Sequence, residues 1–568
     1  MKKKALLFIL MIFLSINIYC QLPPGKYFIQ FTDKNNSPYS LSNPLTFLSQ
    51  KAIDRRTKQG YSLDISDLPV NSEYIDSVLN TGNINLLNIS KWLNGVTIAT
   101  PDSLALIKIS ALSFVQLVKP VAPLFSKGMG GCKFEKVFSA IDNKISDKKY
   151  NKPGSKSKNS YDYGFSANQI EMIGLDLLHN QGYIGANIVI AQLDAGFFSV
   201  DTLVIFDSLR NENRLLGVKD FVNKTGNVYQ EHTHGMMVLS LMTGNIPGQL
   251  IGTAPKAEFW LLRSENADTE YIIEEYNWVT AAEFADSVGA DIINSSLGYS
   301  VFDDSVQNHT NHTFADLNGK TTVVSRGANM AAAKGILVVN SAGNSAQTPW
   351  HRIIVPADAD SVLTVGAVDE NEVYATFSSV GYTFDGRVKP DIVSQGANTV
   401  IASSQGGIMT GNGTSFSAPI ISGAMACLWQ ANPNATNMQL INAVKRSASQ
   451  YNHPDSLLGY GIPNFSVANI LLSNIEEYQG EKDNFFTVFP NPFEEGFSVI
   501  YFAKENQLIN LELNDYNGKI FLSKENVLMS KGYNTITFNN LKNIAKGIYL
   551  LKIIERNKIS IQKLVKIN

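Results

Sequence analysis

The chain is short of cysteine, of histidine and of charge of one sign. Its 568 residues hold three cysteines, at positions 20, 132 and 427, and seven histidines. Three thiols cannot staple a chain of this length, and no Cys/His spacing would close around zinc. That excludes a disulfide scaffold and a zinc module. Cys427 lies in the apolar stretch GAMACLWQA, where a buried free thiol is the simplest expectation. The formal net charge is −3 and the pI about 6.2, which gives no electrostatic footing for a nucleic-acid partner. Long apolar runs are missing except at the N-terminus, MKKKALLFILMIFLSINIYCQ. There, three lysines precede an apolar run that ends near Ile18, shorter than the ~20 residues a membrane span needs. The pattern is that of a secretory signal over residues 1–20, so export is expected. Ile18-Tyr19 ahead of Cys20 does not look like a lipoprotein acylation site.

What is present falls into blocks of different rhythm. Residues 21–123 mix short apolar runs (KYFIQFT, GVTIAT) with helix-like pieces, and a small α+β domain is expected. Residues 124–165 are rich in Gly, Ser and Lys and read as a linker or processing region. Between 166 and 472, continuous apolar runs (NIVIAQLD, AEFWLLRS, GILVVNSAGN, VLTVGAV, TVIASS) alternate with longer helical stretches. That alternation predicts an α/β domain, a parallel sheet with helices on both faces. Residues 473–568 hold seven short β-rich runs between turn residues, the pattern of a small β-sandwich.

Three segments of the α/β region carry candidate chemistry. NIVIAQLDAGFF ends a buried strand in Asp194, with Gly196 permitting a turn. EHTHGMMVLSLMTG opens an apolar helix at His234, with His232 as a rival. GNGTSFSAPIISG holds three serines, of which Ser415 falls at the junction of loop and helix, while Ser417 and Ser422 fall inside the helix. A serine there has its own backbone N–H and the helix dipole to hold an oxyanion, and needs a base beside it to become a nucleophile.

In chain order these read Asp, His, Ser, the order of the subtilisin triad. GTSFSAP, HGMMV and QLDAG resemble the serine, histidine and aspartate motifs of the subtilases. The resemblance implies a subtilisin-like fold and a secreted serine endopeptidase with Asp194, His234 and Ser415 as its catalytic residues. INSSLGYS resembles that family's substrate-binding edge, at Ser296, Leu297 and Gly298, and VVNSAGNSA its oxyanion loop, ending in Asn344. No cofactor is needed for the chemistry. Structural calcium is common in the family, and FADLNGK (314–320) offers oxygen ligands around a glycine. Three residues depart from the usual motifs: Ala195 after the aspartate, Met236 after His-Gly and Phe416 after the serine.

The flanks fit the same resemblance. Residues 21–123 look like the propeptide-type domain of Bacteroidetes subtilases, a partner that folds on the enzyme. VFPNPF, LNDYNGKI, KGIYLLKI and KLVKIN resemble, in that order, the C-terminal sorting domain of type IX secretion cargo, which implies passage through that machinery to the surface or the medium. A helix over 270–290 would border the cleft, with Trp278 as packing or pocket lining. The competing reading is a catalytically inactive subtilase fold used as a surface interaction protein. An esterase would need a GxSxG elbow and the order Ser, Asp, His, and the chain has neither.

Overall fold

The computed structural model describes residues 23–125, 161–303, 311–473 and most of 485–567. The expected signal, Cys20, Cys132 and most of the Gly/Ser/Lys-rich segment lie outside the described residues. The chain opens with an α+β domain: strand β1 (Gly25–Phe31), helices α1 (Gln50–Gln59) and α2 (Ser72–Leu79), strands β2 (Asn85–Ser90) and β3 (Gly95–Thr100), helix α3 (Ser103–Ser110) and strand β4 (Val115–Pro123). The strands form one antiparallel sheet in the order β2-β3-β1-β4.

The central domain is built on seven parallel strands: β5 (Val189–Asp194), β6 (Leu215–Asp220), β7 (Glu258–Arg263), β8 (Ile292–Ser295), β9 (Leu337–Ser341), β10 (Val362–Val368) and β11 (Ile392–Gln395). Their order is β11-β10-β9-β8-β5-β7-β6. Every residue of β5, β8, β9, β10 and β11 is buried. This is why their sequences are apolar without alternation: a strand covered on both faces has no wet side. Of the helices, α4 (His234–Thr243) and α7 (Thr414–Ala431) share one core with Ile190, Ile292 and Val339; α5 (Ile273–Val288) and α6 (Val323–Ala333) share the other with Ala191, Ile293 and Val338. The run TVIASS does not join this sheet. It pairs as Thr399–Ala402 with Ile408–Gly411 in a separate hairpin that leads into α7.

Phe28, Trp92, Leu93 and Val121 of the first domain enter the same core as α5 and α6, so the two domains share apolar packing. Polar groups fix the register. Asp286, fully buried near the end of α5, meets Arg55 (2.5 Å), Arg56 (2.8 Å) and Lys91 (3.2 Å) of the first domain. Burial works against its charge, yet those cations hold Asp286 well below the usual carboxylate range. One turn earlier, Glu283 accepts bonds from Ser90 Oγ and from the backbone N–H of Lys91 and Trp92, and burial pushes its carboxyl up to about 6.

The C-terminal region is the expected seven-stranded sandwich. A sheet of Phe485–Phe489, Phe497–Ala503 and Gly532–Phe538 faces one of Ile520–Met529, Gln507–Asp515, Gly547–Glu555 and Lys558–Lys566. Phe493, Phe497, Leu511, Leu551 and Leu564 fill the space between them.

Candidate active site

The candidate residues gather at the carboxyl ends of the central strands, where an open parallel sheet leaves its crevice. Asp194 is the last residue of β5 and wholly buried. Its Oδ1 accepts from the Ala195 N–H (2.8 Å) and faces His234 Nδ1 (2.7 Å); its Oδ2 accepts from Gln192 Nε2 (3.2 Å). Gln192 projects to the same side because side chains alternate along a strand, and its amide also bonds Gly235 O (2.8 Å).

His234 starts α4 and is also wholly buried. The helix can approach β5 only because the next residue is glycine: a methyl group on Gly235 would lie 2.2 Å from Gly196 O and 2.9 Å from Asp194 Cβ. His232, the rival, has a different part. Its Nδ1 accepts the His234 backbone N–H at 3.1 Å and so holds the start of the helix.

Ser415 is the second residue of α7, 6% exposed. Its N–H belongs to the first helical turn, where amides lack an intrahelical acceptor. Its Oγ donates to Ser296 O (3.3 Å), and Ser296 Oγ donates back to Ser415 O (2.9 Å). The adjacent Phe416 ring stacks on the His234 imidazole with centroids 6.3 Å apart, which brings the start of α7 against the start of α4. The other two serines are internal to the helix. Both are fully buried, Ser417 Oγ bonding Thr414 O (2.9 Å) and Ser422 Oγ bonding Asn294 Oδ1 (2.7 Å).

Asn344 reaches the same place from the loop after β9. Its Oδ1 accepts from the Thr414 N–H (2.9 Å) and Oγ1 (3.0 Å). A backbone N–H can bond only an acceptor, so this pair fixes which end of the amide is oxygen. The Nδ2 donor is therefore turned away from Thr414. Thr414 and Gln192 are the residues the sequence reading passed over, although both stand in the quoted motifs. Neither is titratable, and only the fold shows that each orients a neighbour.

Ser296, Leu297 and Gly298 continue β8 past its ladder beside Ser415. The Leu297 side chain is 3% exposed and belongs to the core, so this edge can meet a substrate through its backbone and not through that side chain. Trp278 is packing: it is fully buried in α5 and donates to Ser295 Oγ (2.9 Å). Asp316 Oδ2 accepts from Thr313 N and Oγ1, and Asn318 Oδ1 from the N–H of Lys320 and Thr321. Cys427 is buried and free, its thiol pushed well above the ordinary range by burial.

Comparison with known proteins matches three family descriptions. Residues 185–461 match the Subtilase family, residues 26–129 the Peptidase S8 propeptide domain of Bacteroidota, and residues 487–568 a Secretion system C-terminal sorting domain. Subtilisin DY of Bacillus licheniformis is 28% identical over 307 residues, 53% of this chain and 97% of that protein. Subtilisin E of Bacillus subtilis (strain 168) is 27% identical over 303 residues, 53% of this chain and 70% of that protein. Among solved structures, MycP1 from Mycobacterium smegmatis is similar with TM-score 0.42 and 22% identity over 53% of this chain and 84% of that one. No helix among the described residues is long and apolar enough to cross a membrane. With Asp194 closing β5, His234 opening α4 and Ser415 in the first turn of α7, residues 185–461 are a subtilase domain, preceded by that family's Bacteroidota propeptide domain and followed by a secretion sorting domain, and the protein is a subtilisin-like serine endopeptidase.

Proposed function

We propose that the protein is secreted and hydrolyses peptide bonds through Asp194, His234 and Ser415, by way of an acyl-enzyme. The observation that carries this is the buried 2.7 Å contact of His234 Nδ1 with Asp194 Oδ1, beside the helix start that bears Ser415. Asp194 takes the Nδ1 proton as its hydrogen-bond partner, which leaves Nε2 as the basic nitrogen. His234 removes the Ser415 Oγ proton as Oγ attacks the carbonyl carbon. The resulting oxyanion sits between the Ser415 N–H and Asn344 Nδ2. Collapse expels the amine, which receives the proton from His234, and water then releases the acyl group by the same steps in reverse. Each oxyanion donor is worth roughly 10² to 10³ in rate.

The flanking domains set when and where this happens. Residues 23–125 cover α5 and α6, which supports their reading as an inhibitory domain whose release follows cleavage between 124 and 165. The sorting domain supports delivery across the outer membrane. To test the reading, residues 22–474 are expressed with and without Ser415→Ala and followed by intact mass, casein cleavage and a serine-reactive phosphonate. The native chain should mature, cleave casein and label, and the variant should do none of these. A folded native chain that does none of the three refutes the catalytic reading and favours a surface interaction protein.

A further inference from the structure

The strand that carries Asp194 has one residue out of character. In β5, Val189, Ile190, Ala191 and Leu193 are apolar and buried, and Gln192 stands among them with no exposed surface. Its Oε1 is buried without a hydrogen-bond partner. Nor does it serve its neighbour across the ladder. Asn294 of β8 pairs with Gln192 in register, yet its Oδ1 accepts from Ser422 Oγ (2.7 Å) and its Nδ2 is buried without a partner. Buried polar atoms that go unmet work against the folded state, and an apolar side chain at 192 would avoid that cost.

What the amide serves is the acid of the site. The two oxygens of Asp194 have unequal support. Oδ1 faces both the Ala195 N–H and His234 Nδ1, whereas Gln192 Nε2, at 3.2 Å, is the one donor to Oδ2 among the described residues. Ala195, a departure from the family's motif, brings no side-chain donor. With Oδ2 unmet, the carboxyl group could turn about its Cβ–Cγ bond, a torsion with broad minima. The 2.7 Å contact to His234 would then lose its direction. The same nitrogen donates to the carbonyl of Gly235, the residue after His234 (2.8 Å). One atom thus touches both sides of the acid–base contact: the carboxylate at the end of β5 and the backbone at the start of α4.

We infer that Gln192 is a positioning residue of the reaction: its amide nitrogen orients Asp194 against His234 and so sets the rate at which His234 takes the Ser415 proton. This rests on Ser415 being the nucleophile. Gln192 touches no reacting atom and acts only through Asp194 and the start of α4. Its loss therefore lowers turnover and leaves substrate binding alone.

The test compares the matured full chain with Gln192→Met, which keeps the side chain's length and removes the donor, and with Gln192→Leu. Ser422→Ala is the control, since it breaks a bond to Asn294 beside Gln192 and touches no residue of the triad. Near-ultraviolet circular dichroism checks folding, a fluorophosphonate counts active sites, and a peptide p-nitroanilide gives kcat and KM. Both Gln192 variants should lose roughly 10- to 100-fold in kcat, the worth of one hydrogen bond to a charged group, with KM within ~3-fold of wild type. Ser422→Ala should keep the wild-type kcat. A folded Gln192 variant with wild-type kcat, or one whose loss lies in KM, overturns the inference. So does a Ser422→Ala chain that loses as much kcat as they do, because the effect is then one of packing. Failure of both Gln192 variants to fold assigns the amide to stability and overturns it too. A wild-type chain that does not label instead removes the nucleophile, and this inference with it.

Discussion

Neutralising Asp194 is the sharpest test of how the site is held. The carboxylate accepts three hydrogen bonds and donates none: Oδ1 from Ala195 N and His234 Nδ1, Oδ2 from Gln192 Nε2. Asparagine offers one acceptor and one donor in the same outline. Placing its Nδ2 at the Oδ1 position sets a donor against the Ala195 N–H and requires His234 to carry its proton on Nε2, where it cannot accept from Ser415. Turning the amide over restores those two bonds but sets Nδ2 against the Gln192 amide. That mismatch is tied down, because Gln192 also bonds Gly235 O at 2.8 Å. Neither orientation provides the anion that stabilises a protonated His234. Losing the carboxylate of such a triad costs roughly 10⁴ in kcat, or about 5 kcal/mol of barrier. The assay is single-turnover labelling by a fluorophosphonate together with peptide hydrolysis, on Asp194→Asn and wild type matured in the same way. Folding is checked by near-ultraviolet circular dichroism. A folded variant within ~10-fold of wild type would refute the reasoning.

Other predictions read different parts of the molecule. Asn344→Ala should lower kcat by roughly 10² to 10³ with little change in KM, since the amide acts on charge that develops only in the transition state; a change confined to KM would contradict its role. Asp286→Asn, introduced into the Ser415→Ala chain, leaves Arg55 and Lys91 without their buried anion and Arg56 with Asp67 alone. It should cost about 3–5 kcal/mol in denaturant unfolding, and a loss under 1 kcal/mol would show that the cations find water instead. Glu283 has its carboxyl raised from 4.5 to about 6 by burial. Its contribution to the folded state is complete below pH 4.5 and is lost as pH rises through 6, a change of about 2 kcal/mol. The melting temperature of wild type relative to Glu283→Gln should therefore fall across that window, and a flat difference would disprove the assignment.

The order of blocks was legible because each rests on local physics. Continuous apolar runs mark strands covered on both faces, and alternating runs cut by Asn, Gly and Lys turns mark a sandwich with one wet side to each sheet. TVIASS shows the limit of that logic. A short buried run has no periodicity to say which sheet it joins, and here it folds into a hairpin beside the crevice. Asp194, His234 and Ser415 could be picked from the chain because each stands where an apolar element meets a glycine-bearing turn. That transition is written in sequence.

Tertiary structure alone decided how those residues are held and what can reach them. Gln192, Thr414 and His232 act by orienting a neighbour, and a hydrogen-bond direction has no sequence signature. Ile354 lies close to both Gly298 and Gly343 only because the segment 353–355 bonds Tyr299 on one side and Ala342 on the other. The grip of the first domain depends on Asp286 meeting cations from positions 55, 56 and 91, separated by some 200 residues of chain. The sequence supplies the chemical groups and their local scaffolds. The distances that make them a site come from packing between elements remote in the chain.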